Sequence, residues 1–133
     1  MNKDLLKEFI PCGLAKQLKK LKFNENCLGV YDDVNEFYFF SSDALKMTEI
    51  DERLILAPLW QQAFDWFRIK HGLHVDIRTT VRWGKREHTP YIHINGTDYP
   101  LCGEMGGQIS FEDYDEAKLA TLRRIINTVE ISV

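Results

Sequence analysis

The sequence has few cysteines, no long apolar run and no internal repeat, and each absence removes a class of protein. Its 133 residues include three cysteines without a C-x-x-C pair, so neither a disulfide framework nor a zinc ribbon is predicted. No apolar run approaches the roughly 20 residues that a membrane span needs, and residues 1–5 lack a secretory pattern. We therefore expect a cytoplasmic protein with reduced cysteines and no membrane partner.

What the sequence does have is the composition of an ordinary globular domain. Hydrophobic residues make up 44% and charged residues 28%, which excludes a disordered or collagen-like chain. A length of 133 residues predicts one domain, 1–133, with a substantial core. The pI near 5.8 argues against a general nucleic-acid coating protein, since such domains usually have a pI above about 9. The low pI does not exclude a local basic face, because six cations and all four histidines gather at residues 68–93.

The spacing of apolar residues predicts an α+β fold in the order α-β-β-α-β-β-β-α, with helices packed on antiparallel sheet. Short additional elements could form at residues 2–9 (helix) and 54–56 (strand), and residues 41–53 are expected to be a long loop. The predicted elements are a helix at about 11–22, strands at 27–31 and 36–40, a helix at about 58–71, strands at 75–83, 91–94 and 97–101, and a helix at about 114–130.

The three-stranded sheet of the second half has the clearest pattern. Apolar and polar residues alternate strictly from Val75 to Trp83, which is typical of a half-buried strand. Asn95-Gly96 predicts a two-residue hairpin turn, while residues 84–89 are expected to form the preceding turn. Pro100 cannot donate to a ladder and therefore predicts an edge strand. The expected core consists of Trp60, Phe64, Phe67, Ile77, Val81, Ile92, Ile94, Leu122 and Ile126.

One face of this sheet is the candidate binding surface. Alternation places Arg78, Arg82, Tyr91 and His93 on the side away from the core. Arginine and aromatic side chains on a sheet can hold phosphates and stack on bases. The other interpretation is the solvated face of an antiparallel sheet covered on one side only.

No catalytic, metal or cofactor site is predicted. The four histidines do not form a local ligand pair such as H-E-x-x-H, and the cysteines are scattered. Gly103 to Gly107 match neither a P-loop nor a dinucleotide-binding fingerprint. A small metal-dependent hydrolase or nuclease that uses the histidines is kept as an alternative, so the question whether the protein is an enzyme stays open.

Three segments resemble a group of uncharacterised small proteins encoded by phages, prophages and mobile elements of gut bacteria. The first is Ile10-Pro11 with Leu14-Ala15 and Leu18-Lys19, followed by Phe23-Asn24-Glu25, Cys27 and Tyr31. The second is the segment from Ala57 to Arg68, APLWQQAFDWFR, and the third is Tyr114-Asp115-Glu116-Ala117. The resemblance implies a compact α+β fold, a phage-related setting and a location in the cytoplasm of a bacterial host cell.

These observations favour a small non-catalytic interaction module that binds an unknown protein or itself. The support is the aromatic strand Phe37–Phe40, which would expose apolar surface unless both of its faces are covered. A nucleic-acid-binding accessory protein that uses the sheet face of Arg78, Arg82, Tyr91 and His93 is the first alternative.

Overall fold

The computed structural model describes residues 3–39, 52–103 and 106–132. The chain divides into two compact units, residues 1–63 and 64–133, and the predicted α+β class is confirmed. The expectation of a single domain over 1–133 stays a prediction. The elements are α1 Lys3–Leu6, α2 Cys12–Lys20, β1 Gly29–Tyr31, β2 Phe37–Phe39, β3 Ile55–Ala57, α3 Trp60–His71, β4 His74–Arg82, β5 Lys85–Ile94, β6 Thr97–Pro100 and α4 Tyr114–Ser132.

The first unit contains a sheet in the order β2-β1-β3, with both pairs antiparallel. Asp32 closes the β1–β2 hairpin, since its Oδ1 accepts hydrogen bonds from the backbone N–H groups of Val34 and Glu36 at 3.0 and 2.8 Å. Helix α2 buries Leu14 and Leu18 on one stripe, as its spacing predicts. Strand β3 confirms the short strand that the sequence predicts at 54–56 and adds the third strand to this sheet.

The second unit contains a sheet in the order β4-β5-β6, again antiparallel throughout. The Asn95-Gly96 turn pairs Ile94 with Thr97, and β6 with Pro100 lies at the edge, so both expectations are confirmed. Helix α4 packs against β4 and β5, and Asp113 Oδ1 accepts from the Asp115 N–H at 3.0 Å at its start. Because Ile92 is buried while Tyr91 is half-exposed, the helix covers one face of the sheet only.

Two expectations about the second sheet are wrong. The turn expected at 84–89 consists of Trp83 and Gly84 alone, because β5 begins at Lys85 and pairs with Arg82. Val81, expected in the core, is 70% exposed, because residues 78–86 form a hairpin with neither face covered. Of the other expected core residues, Phe67, Ile92, Leu122 and Ile126 are buried and Trp60, Phe64, Ile77 and Ile94 are half-buried.

The strands of the described residues form two separate three-stranded sheets. Strand β3 pairs with β1 and so belongs to the first of them. The predicted loop at 41–53 and the predicted strand residue Phe40 lie largely outside the described residues, which resume at 52.

Candidate functional site

Three of the four predicted binding residues lie together on the uncovered face of the second sheet. Register brings them there: Tyr91 of β5 lies opposite Asp76 of β4, and His93 lies between His74 of β4 and Asp98 of β6. The fourth residue, Arg82, lies further along β4. We call this surface the charged face, and its members are His74, Asp76, Arg78, Tyr91, His93 and Asp98.

Arg78 is at the centre of the charged face. Its Nη2 donates to Asp98 Oδ2 at 2.7 Å, and its Nε donates to Asp76 Oδ2 at 3.1 Å. The guanidinium carbon lies 3.9 Å from the centroid of the Tyr91 ring, which is the stacked geometry of a cation–π contact. Arg78 thereby links β4 to the edge strand β6 across β5.

His93 lies between the same two carboxylates. Its Nδ1 contacts Asp98 Oδ1, and its Nε2 lies 3.8 Å from Asp76 Oδ2. On its other side the His74 ring lies with its centroid 5.3 Å away. Each ring nitrogen of His93 therefore faces a carboxylate of this chain.

The electrostatics of the charged face follow from this pairing. The hydrogen bond from Arg78 lowers the pKa of the Asp98 carboxyl below its ordinary value of 3.8, and the same contact raises the pKa of Arg78. Two carboxylates thus match the single positive charge of Arg78. A phosphate would have to displace them, so the charged face is internally satisfied rather than prepared for an anion.

Arg82 belongs instead to the end of the β4–β5 hairpin. It pairs with Lys85 across the two-residue turn Trp83-Gly84, while Val81 pairs with Arg86 one position back. All of these residues are exposed. We call residues 81–86 the hairpin tip.

Trp83 is the most unusual residue of the hairpin tip. Its side chain is 93% exposed, although large aromatic side chains are the residues that gain most from burial. Its φ is 54°, and that of Gly84 is 77°, as a type I′ turn requires. A left-handed backbone costs a bulky residue about 1–2 kcal/mol, so this position combines exposure with strain.

The hairpin tip carries three cations and no acid. Arg82 and Lys85 share one face of the hairpin, and Arg86 lies on the opposite face. Lys85 Nζ lies 4.0 Å from Glu112 Oε1, and both side chains are at least 76% exposed, so this pair holds Lys85 only weakly. Among the described residues, no carboxylate forms an ion pair with Arg82 or Arg86.

Sequence reasoning missed the hairpin tip because alternation alone does not reveal where a sheet stops being covered. Val81 and Trp83 continue the apolar pattern of β4, so the pattern predicts burial. The available signal was the Trp-Gly pair between two cations, because Gly in the second position of a two-residue turn accepts the positive φ that type I′ needs.

The histidines are divided among separate places in the second unit. The ring of His71 lies 4.9 Å from that of Trp66, and His88 Nδ1 lies 2.8 Å from Thr79 Oγ1, whereas His74 and His93 share the charged face. Within the described part of the chain, no group of three His, Cys, Asp or Glu side chains is arranged to hold a metal ion.

The cysteines are free thiols in different settings. Cys27 is buried, and burial raises the pKa of its thiol from 9.0 to about 12. Since the thiolate is the nucleophile, Cys27 is inert at neutral pH. Cys12 Sγ lies 3.3 Å from Asn35 Oδ1, and Cys102 Sγ lies 3.4 Å from the Pro100 carbonyl oxygen.

The first unit has one open pocket of interest, with a volume of about 510 Å³. Lys19, one of its two cations, donates to the backbone carbonyl of Glu52 and, at 3.2 Å, to that of Leu54. The lysine therefore helps hold the chain at residues 52–54, which is a structural role. The pocket is lined by Lys19, Lys22, Phe23, Asn24 and Glu52.

Comparisons of the chain with models of known protein families, with curated proteins and with solved structures find no significant match. None of the helices within residues 3–39, 52–103 and 106–132 is both long and apolar enough to cross a membrane.

Proposed function

We propose that this protein is a non-catalytic binding module that contacts a partner macromolecule with the hairpin tip. The observation that carries the proposal is Trp83, 93% exposed at a φ of 54°. A side chain that gains nothing from burial and strains its own backbone does not stabilise the free protein. Such outliers concentrate at functional sites, where a ligand contact compensates the strain.

The composition of the hairpin tip supports the same proposal. Tryptophan and arginine are the residues most enriched among those that dominate binding energy at interfaces. The charged face, in contrast, already matches Arg78 with Asp76 and Asp98. A module that presents Trp83 beside Arg82 and Arg86 on a narrow hairpin can enter a concave surface or a groove of its partner.

Affinity capture with tip variants tests this function. The tagged protein is compared with Trp83→Asn, which keeps the turn because Asn accepts a left-handed backbone. Tyr99→Ala is the matched control, since Tyr99 is also an aromatic of this sheet and is 51% exposed. We expect a component of a lysate of the source organism to be retained by the parent protein and by Tyr99→Ala, and to be lost by Trp83→Asn. Retention by all three would contradict the proposal.

Self-association through β2 is a second candidate function, favoured by the exposure of its aromatic residues. Tyr38 is 51% exposed and Phe39 is 39% exposed, which leaves apolar surface on the strand that the sequence predicts as an interface. Sedimentation at tens of micromolar, roughly the range where weak interfaces assemble, should detect a dimer that Tyr38→Ser weakens. A strict monomer at that concentration would rule this function out.

The remaining expectations keep the status of predictions. A phage or mobile-element setting and a cytoplasmic location are compatible with a small binding module, and a nucleic-acid-binding accessory role that uses Arg78, Arg82, Tyr91 and His93 stays a prediction. The metal-dependent hydrolase has the least support, because the histidines are dispersed over the second unit.

A further inference from the structure

We propose that the partner of the hairpin tip is double-stranded DNA, which the tip enters with Trp83 toward the bases and its three cations toward phosphates. This inference rests on the proposed function and names the class of its partner. It depends on how charge and aromatic surface are distributed over residues 81–86.

The cations lie on both faces of the hairpin, which favours a partner with negative charge on both sides of a groove. Arg82 and Lys85 lie on one face of the hairpin, and Arg86 lies on the other. A hairpin inserted tip-first into a groove has one phosphate backbone along each face, so both sets of cations would meet phosphate. A protein partner would have to supply carboxylates on both sides of the hairpin, whereas a duplex has phosphates on both sides of each groove.

The dimensions of the hairpin favour DNA over RNA. The major groove of B-form DNA, about 12 Å wide, admits a two-stranded β-ribbon, whereas the major groove of A-form RNA is too deep and narrow for side chains to read. Strands β4 and β5 pair without interruption from His74↔His93 to Arg82↔Lys85, so the ribbon is continuous up to its turn. All residues from 78 to 86 are exposed.

Trp83 supplies an apolar contact to the bases, in addition to the contacts that the cations make with phosphates. In the major groove an exposed apolar ring at the leading end of the hairpin can contact base edges and thymine methyl groups, and the turn position of Trp83 provides that placement. Anionic membrane is the rival polyanion, but only Val81 and Trp83 at the tip are apolar, which is little area for insertion into lipid.

Fluorescence anisotropy with a short labelled DNA duplex of mixed sequence is the direct test. Non-specific complexes of this size have a Kd of about 10⁻⁶ to 10⁻⁴ M, and three phosphate contacts predict a loss of about 40-fold in affinity between roughly 50 and 200 mM salt. Trp83→Asn should weaken binding by roughly tenfold to hundredfold, because the apolar surface that Trp83 buries against the bases is lost. Arg82→Gln with Arg86→Gln should lower the slope of log affinity against log salt by about two.

Matched controls separate the tip from general charge. Lys16→Gln with Lys20→Gln removes two exposed cations from α2 and should leave the salt slope unchanged, and Tyr99→Ala should leave the affinity unchanged. A second readout is acrylamide quenching. Trp66 is only 6% exposed and Trp60 is half-buried, so quenching of the parent protein is compared with quenching of Trp83→Asn. The difference reports on Trp83 and should fall when duplex is added.

The outcomes distinguish this inference from the proposed function. Duplex binding that depends on Trp83 and on both arginines supports the inference. Its absence overturns it, and so does tighter binding to the single strand, to duplex RNA or to vesicles with anionic headgroups. If Trp83-dependent capture from lysate survives nuclease treatment while duplex is not bound, the module binds a protein and only the DNA inference fails. If no capture depends on Trp83, both proposals fail.

Discussion

The second sheet contains two hairpins with the same turn geometry and opposite turn chemistry. In the β5–β6 hairpin, Asn95 and Gly96 have φ values of 51° and 81°; in the β4–β5 hairpin, Trp83 and Gly84 have φ values of 54° and 77°. Asparagine tolerates this conformation, whereas tryptophan is strained in it. The first hairpin follows the rule for a stable turn, and the second breaks it where no packing compensates.

The β5–β6 hairpin is also held more firmly by its surroundings than the β4–β5 hairpin is. The β5–β6 hairpin is tied to its unit by the Arg78–Asp98 pair at 2.7 Å and by the hydrogen bond from the Leu101 N–H to the Pro90 carbonyl at 3.0 Å. The β4–β5 hairpin is exposed along residues 78–86. The β5–β6 hairpin therefore stabilises its sheet, whereas the β4–β5 hairpin exposes Trp83 at a cost in stability.

The largest effect that separates the two hairpins should come from their glycines. Gly96→Ala places a side chain at a φ of 81° with nothing within 4 Å of the new Cβ, so its effect is backbone strain of about 1–2 kcal/mol. Gly84→Ala has the same strain, but the exposed hairpin tip can open locally, which limits the loss in global stability. We expect urea unfolding to show a clear loss for Gly96→Ala and a smaller one for Gly84→Ala. Equal losses would mean that the tip unfolds together with its unit.

Exchanging the turn residues should produce an effect of opposite sign in the two hairpins. Trp83→Asn removes the strain and should raise the free energy of unfolding by less than about 1 kcal/mol, because the hairpin tip can open locally. Asn95→Trp introduces the strain into the hairpin that is held by its unit and should lower the free energy of unfolding by about 1 kcal/mol.

Thermal melting of both variants beside the parent protein measures this exchange. Trp83→Asn is also the variant expected to lose the partner, so it would be more stable and less active, as is typical of functional positions. A Trp83→Asn protein that melts lower than the parent would show that the tryptophan is a structural residue.

The same comparison explains how far the sequence predicts the structure. Asn95-Gly96, the alternation of β4 and the edge position of Pro100 are local signals, and local signals predicted the β5–β6 hairpin and its register correctly. The pairing of β3 with β1 joins residues Val30 and Leu56, which no local pattern links. Burial is also a property of the whole fold, which is why Val81 was expected in the core and is 70% exposed.

The sequence likewise predicted only part of the candidate site. Period-2 alternation was sufficient to group Arg78, Tyr91 and His93, because residues on one face of paired strands meet in space. It could not show that Asp76 and Asp98 would match the charge of Arg78, since that depends on side-chain geometry. Nor could it find Trp83, whose significance lies in its backbone angle and exposure rather than in its residue type.

The smallest expected effect is an acid dependence that the β5–β6 hairpin has and the hairpin tip lacks. The hydrogen bond from Arg78 lowers the pKa of Asp98 below 3.8 in the folded protein, so the carboxylate adds stability above that pH and the gain is lost as pH falls through the folded pKa. Asp98→Asn should therefore reduce the loss of stability between neutral pH and pH values below 3.8, whereas Asp33→Asn, in an exposed turn, should not. Urea unfolding at both pH values measures this difference.

The hairpin tip contains no carboxylate and should contribute nothing to this pH dependence. An unchanged pH dependence in Asp98→Asn would mean that the Arg78–Asp98 pair is too solvent-exposed to tie β6 to β4, and the two hairpins would then differ in turn chemistry alone.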